Sequence, residues 1–213
     1  MPVTIKEWLA YFPTVMLLPA VISYLCGGMN GAILISKYYF KEDVRTRGSG
    51  NAGLTNFYRN YGGRYAALVI ALDALKMVAA VVITCLMMGW SPEAKLWGGL
   101  CCVLGHMFPA IYKFKGGKGI LSSGTLLFFL DWRVAVVAWG VFLLLVILTR
   151  YVSLGSVACS ATVPVTTLLF YPGQWAVFVF GTTIASLVIW AHRGNIVRLV
   201  KGTESKFRFK RES

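Results

Sequence analysis

Long apolar runs alternate along this chain with short polar connectors. Stretches such as 66–90 and 134–148 are nearly free of charge and about as long as a bilayer is thick. The pattern predicts seven helical spans, over 12–36, 65–89, 95–112, 119–131, 133–149, 153–171 and 174–192. The fourth is short and depends on the glycine-rich stretch before it. Residues 1–11 are expected to form a short interfacial segment, and 193–213 a basic cytoplasmic tail. The first apolar run is too long for a cleaved signal, and no small-residue cleavage pattern follows it.

Composition agrees with the pattern. Hydrophobic residues make up 57% of the 213, charged residues only 14%, and the mean hydropathy is +0.68. A soluble domain cannot hide that much apolar length. The expected fold is therefore an all-α integral membrane protein, with residues 1–213 forming one helical bundle rather than two domains.

Charge then orients the bundle. Lys37, Lys41, Arg45, Arg47, Arg59 and Arg64 follow span one, Lys113, Lys115 and Lys118 follow span three, and Arg150 follows span five. Seven more cations follow span seven, from Arg193 to Arg211. On the other side only Lys6, Lys95 and Arg133 flank spans, and Lys76 lies within one. The bias puts the first set in the cytoplasm and the N-terminus outside. The net charge of +13 thus reports topology and attraction to anionic lipid, with no nucleic-acid partner expected.

Cysteine chemistry adds nothing. Cys26, Cys85, Cys101, Cys102 and Cys159 all fall inside spans, without C-x-x-C or cysteine–histidine ligand spacing. They read as small apolar packers, and neither a disulfide, a metal nor a cofactor is expected.

Four polar stretches lie on the cytoplasmic face. They are RGSGNAGLTNFYRNYG within 37–64, GHMFPAIYKFKGGKG, TRYVSLGS at 149–156, and HRGN at 192–195. Gly48, Gly50 and Gly53 alternate with Ser49 and Asn51 ahead of Thr55 and Asn56. Such a string allows backbone N–H groups to form an anion nest, which hydroxyls and Arg59 would complete. In FKGGKG, Gly116 and Gly117 permit close backbone approach to a ligand, and Gly119 permits a tight turn into span four. Lys118 then sits at a helix N-terminus, where free N–H groups and an ammonium hold an anion together. The P-loop spacing is absent. Alone, such a connector is only a positive-inside loop; beside the other polar stretches, anion binding is the better reading.

These four motifs, in this order, resemble the bacterial acyl-phosphate-dependent glycerol-3-phosphate acyltransferases over about residues 23–206. Three neighbouring positions depart from the family pattern: Leu54, Met77, and Ile120 to Ser122 after GGKG. The resemblance implies a seven-span inner-membrane enzyme that transfers an acyl group from acyl phosphate to position 1 of glycerol 3-phosphate. The products would be lysophosphatidic acid and phosphate, at the start of phospholipid synthesis, with no cofactor and a monomeric state expected. It also implies roles. Ser49, Arg59, Lys118 and Ser156 match positions that bind the acyl-phosphate group, with Ser153 sharing that work. His192 and Asn195 match positions that hold glycerol 3-phosphate beside Lys118. Asn51, Thr55 and Asn56 belong to the first motif as loop-shaping and contact candidates, and Lys118, His192 and Ser49 are the expected catalytic set.

The chemistry suits those residue types. Two phosphates must be brought together, and acyl phosphate is already activated, so proximity and charge stabilisation suffice. No serine shows the G-x-S-x-G setting. The H-x4-D signature of other glycerolipid acyltransferases is absent, since Ile111 follows His106 and Val197 follows His192 at that spacing. Direct attack by the glycerol hydroxyl is expected, with either His192 or a substrate phosphate oxygen as base. His106 reads equally as a structural hydrogen-bonding group or a ligand contact. Asp73 and Lys76, three apart on a helix, read as an ion pair bracing the bundle. The rival class is a transporter of a phosphorylated anion, against which stand the odd span count and the one-sided polar residues.

Overall fold

Each apolar run folds as helix. The structure is a computed structural model and describes residues 13–207; the interfacial segment expected over 1–11 lies outside them. A π-helical turn, Pro13–Leu17, leads into α1 (Leu18–Gly28) and α2 (Gly31–Tyr38). Then come α3 (Leu54–Tyr61), α4 (Gly63–Met88), α5 (Pro92–Met107), α6 (Ile120–Leu130) and α7 (Trp132–Thr149). The series ends with α8 (Val152–Phe170), α9 (Trp175–Ala191) and α10 (Arg193–Val200).

Helices α4 to α9 lie on the six later expected spans, with two departures elsewhere. The first expected span is broken into α1 and α2, bent by 45°. Asn30 causes the break: its extended backbone stops α1, and its Oδ1 accepts from Ile33 N at 3.0 Å to cap α2. The expected basic tail begins instead with α10, which leaves α9 at 57° with His192 in the bend.

Four helices are long and apolar enough to cross a bilayer, namely α4, α5 with its following turn, α7 and α8. The number is six if the bent pairs α1–α2 and α9–α10 each count as one span. The remaining expected span, the fourth, is α6, whose 11 residues make about 16 Å of helix, half a hydrocarbon core. The span α5 is 67% buried and α7 only 17%, so α5 is the axis of the bundle and α7 shows most of its apolar surface outward. α1 meets α5 backbone to backbone: a Cβ at Gly27 or Gly105 would stand 2.0 Å from a carbonyl oxygen of the other helix.

One polar knot lies inside this apolar frame. Lys76 Nζ donates to Asp73 Oδ1 at 2.7 Å, and the same carboxylate oxygen accepts from Gly31 N at 3.1 Å. His106 Nδ1, on α5, stands 2.7 Å from Lys76 Nζ. The knot thereby ties α4 to the start of α2 and to the end of α5. That end is where the polar connectors gather.

Candidate active site

The FKGGKG turn is built against α5. Gly116 N donates to Met107 O and Gly117 N to His106 O, both at 3.1 Å. A Cβ at Gly116 would stand 2.0 Å from His106 O, and one at Gly117 would stand 2.2 Å from His106 Nε2. The two glycines therefore allow this turn to pack tightly against the end of α5. Gly119 takes a left-handed φ of +79° and caps α6 without a side chain, so the first-turn N–H groups of α6 keep no capping partner from it. Lys118 sits immediately before this turn.

The serine–glycine–asparagine loop is organised by Asn56. Its buried amide accepts from Ser49 N at 3.0 Å and donates to Val44 O, Arg47 O and Asn51 O at 3.0 to 3.1 Å. Gly50 N donates to Arg47 O. Two N–H groups of the expected nest are thus used within the loop. Asn56 thus holds the shape of the loop through both atoms of its amide. Ser49 stays exposed, while Asn51 and Thr55 are half-buried on the same segment, apart from the hydrogen-bonded cluster around Lys118.

That cluster joins three other segments. Lys118 Nζ donates to Asn195 Oδ1, and Asn195 Nδ2 donates to Glu204 Oε1 at 2.7 Å. Ser153 Oγ donates to the same carboxylate oxygen at 2.9 Å, and Arg198 Nε to Oε2 at 2.7 Å. Beyond Glu204 the chain runs back over the start of α8. Phe207 N donates to Arg150 O at 2.7 Å, Lys206 lies over the Tyr151 ring, and Ser205 O accepts from Arg59 Nη2 at 3.1 Å. Ser156, one turn deeper on α8, turns its Oγ to Val152 O at 2.9 Å. Glu204 was missed at the sequence level. It was legible only as the last letter of HRGNIVRLVKGTE, and its partners become visible once α10 bends back.

Electrostatics follow from this packing. Burial is the largest effect on Lys118; with the charges of Arg198 and Arg59 it outweighs Glu204 and pulls the ammonium down to about 8. Burial pushes Glu204 up, but hydrogen bonds from Asn195, Arg198 and Ser153 outweigh it and hold the carboxyl below its usual range. His192 is buried, and its Nδ1 lies 2.8 Å from Val188 O. A carbonyl only accepts, so Nδ1 carries the proton in the neutral ring and Nε2 is left as an acceptor.

An apolar cavity opens beneath these residues. It is a narrow crevice between α5, α6, α7, α8 and α9. Its lining starts at Ile120, two residues after Lys118, and at Val188, whose carbonyl holds His192. The hydroxyls of Ser123 and Ser160 in its wall donate to carbonyls of their own helices, leaving the surface apolar.

Fold and site together define a class: a polytopic helical membrane protein with a cluster of cationic and hydrogen-bonding side chains about a carboxylate, set over an apolar cavity. The family model described as "Glycerol-3-phosphate acyltransferase" matches residues 17–202. A protein of that name from Thermoanaerobacter pseudethanolicus is 42% identical over 195 residues, covering 92% of this chain and 97% of the relative. Another, from Neisseria gonorrhoeae, is 37% identical over 200 residues, covering 91% and 98%. The crystal structure of PlsY (YgiH), an integral membrane glycerol 3-phosphate acyltransferase, in its glycerol 3-phosphate form superposes with a TM-score of 0.83. That match has 33% identity and covers 91% of this chain and 96% of the other. The lysophosphatidic acid form gives 0.80 at the same identity, covering 91% and 95%. The chain belongs to the glycerol-3-phosphate acyltransferase family. It is an integral membrane enzyme of phospholipid biosynthesis, which decides against the transporter reading.

Proposed function

We propose that the enzyme transfers an acyl group from acyl phosphate to position 1 of glycerol 3-phosphate on the cytoplasmic side of the bacterial inner membrane. Seven spans, an outside N-terminus and a monomeric state complete the reading. The observation that carries it is the cluster around Glu204. Lys118, Asn195, Ser153 and Arg198 are already arranged about an anion, the protein's own carboxylate, at the mouth of an apolar cavity. A substrate that is phosphate at one end and alkyl at the other matches both halves.

In this reading Ser49, Arg59, Lys118 and Ser156 hold the donor phosphate, with Ser153 beside them, while the alkyl chain enters the cavity. Asn195 and His192 hold glycerol 3-phosphate. The glycerol hydroxyl oxygen bonds to the acyl carbon, the bond from that carbon to the phosphate oxygen breaks, and phosphate leaves with the electron pair. The hydroxyl proton goes to His192 Nε2, left as an acceptor by the bond to Val188, or to the departing phosphate. Lys118 and the free N–H groups of α6 stabilise the charge that develops.

Purified protein in detergent, given acyl phosphate and labelled glycerol 3-phosphate, is expected to form labelled lysophosphatidic acid without added metal. Folded protein that makes none, that uses acyl-CoA equally well, or that stops with chelator would overturn the donor assignment.

A further inference from the structure

The cavity has a depth that can be counted, because the helix that follows Lys118 and the one that ends at His192 both line it. On α6 the lining runs from Ile120 to Leu127, and on α9 from Val188 down to Gly181. Counted from Lys118 and His192 at the helical rise, it reaches roughly 14 to 17 Å below the reacting groups. At the far end the lining is Leu96 and Leu126, both wholly buried, from α5 and α6, and Val163 from α8.

Gly181 is the one position of this deep layer without a side chain. Its missing Cβ faces α8, since a built Cβ would lie 3.3 Å from Thr167 Cγ2 and 3.4 Å from Val163 Cγ1. A methyl group there requires its neighbours to give by a few tenths of an ångström, and a branched side chain adds bulk against Val163, itself part of the cavity wall. The upper glycine, Gly124, is different: there a Cβ would stand 2.6 Å from the Trp139 ring, whose Nε1 donates to Gly124 O. At Gly124 a Cβ meets the Trp139 ring outright, whereas at Gly181 the tightest contacts are two side-chain methyl groups.

We propose that Gly181, backed by Leu96, is a specificity-determining residue that sets the longest acyl chain the enzyme accepts. The inference rests on the acyl-donor reading above. The hydrophobic effect gives the selection its form. Each methylene that fits gains roughly fourfold on burial, so rates rise with chain length until the terminal methyl meets the floor. A chain one group too long must then displace packed side chains, which discriminates by about tenfold or more.

The test compares kcat/KM for a series of acyl phosphates of increasing chain length in the wild type, Gly181→Val and Leu96→Ala. The longest-to-shortest ratio within one preparation is unaffected by any inactive fraction, so reduced folding of a variant does not distort it. Gly181→Val is expected to lower that ratio at least about tenfold, and Leu96→Ala to raise it or move the optimum to longer chains. Wild-type ratios in both variants would overturn the assignment of the floor. If one variant does not fold, the other decides. Wild-type protein inactive with every acyl phosphate would overturn the donor reading instead, so the two failures are distinct.

Discussion

Lys118 is held where an ammonium is hardest to keep charged and most useful. Its Nζ is tied to Asn195 and lies at the uncapped start of α6, and burial draws its pKa down to about 8. Replacing it with methionine keeps the apolar stem and removes the charge. Loss of such a contact costs about 3 kcal/mol, or roughly a hundredfold in rate. Lys118→Met is therefore expected to lose nearly all turnover while still inserting, and Lys113→Met, on the exposed start of the same turn, to keep most of it. Equal mild losses in steady-state assays would reduce FKGGKG to a topology signal. The same lysine predicts a pH limit. Its ammonium is present below about 8 and is lost as pH rises through that value, so kcat/KM for glycerol 3-phosphate should fall on that limb. Glu204 acts to raise the Lys118 pKa, so Glu204→Gln should move the limb to lower pH. An unmoved limb in the pH–rate profile would mean that another group titrates.

At the scale of elements, the polar knot of Asp73, Lys76 and His106 decides how α2, α4 and α5 meet beneath the site. Both charged side chains are almost wholly buried, so removing one leaves the other uncompensated. Lys76→Met is expected to destabilise the protein by about 3–5 kcal/mol, read as a lower melting temperature in detergent. The double variant Asp73→Asn with Lys76→Met should recover part of that loss. A single variant as stable as the wild type would show that the pair braces nothing. The spacing of Asp73 and Lys76 was readable in the sequence, because residues three apart share a helix face. The third member was not, since His106 comes from α5 and only tertiary packing brings its ring to Lys76.

At the scale of the whole molecule, the proposed topology puts every polar connector of the site on one side of the membrane. Single-cysteine labelling at Glu42→Cys and a reporter fused after Ser213 are expected to report cytoplasm, and Pro92→Cys the opposite side. The reverse pattern of label protection would separate the site from the cytoplasmic substrates.

Sequence alone determined the helical class, the places of helices α4 to α9 and the polar motifs between them, for a local reason. Apolar runs long enough for a bilayer must satisfy their own backbone, and helix is the way a single segment does so. Tertiary structure decided what depends on distant partners. It broke the first span at Asn30, whose amide also donates to Ala52 O at 2.9 Å, and it bent α10 back over α8. It tied Gly116, Gly117 and Asn56 by hydrogen bonds to the protein's own backbone. It also set Glu204 among Ser153, Asn195 and Arg198, an arrangement that no spacing along the chain encodes because a buried charge is fixed by whichever groups packing brings to it.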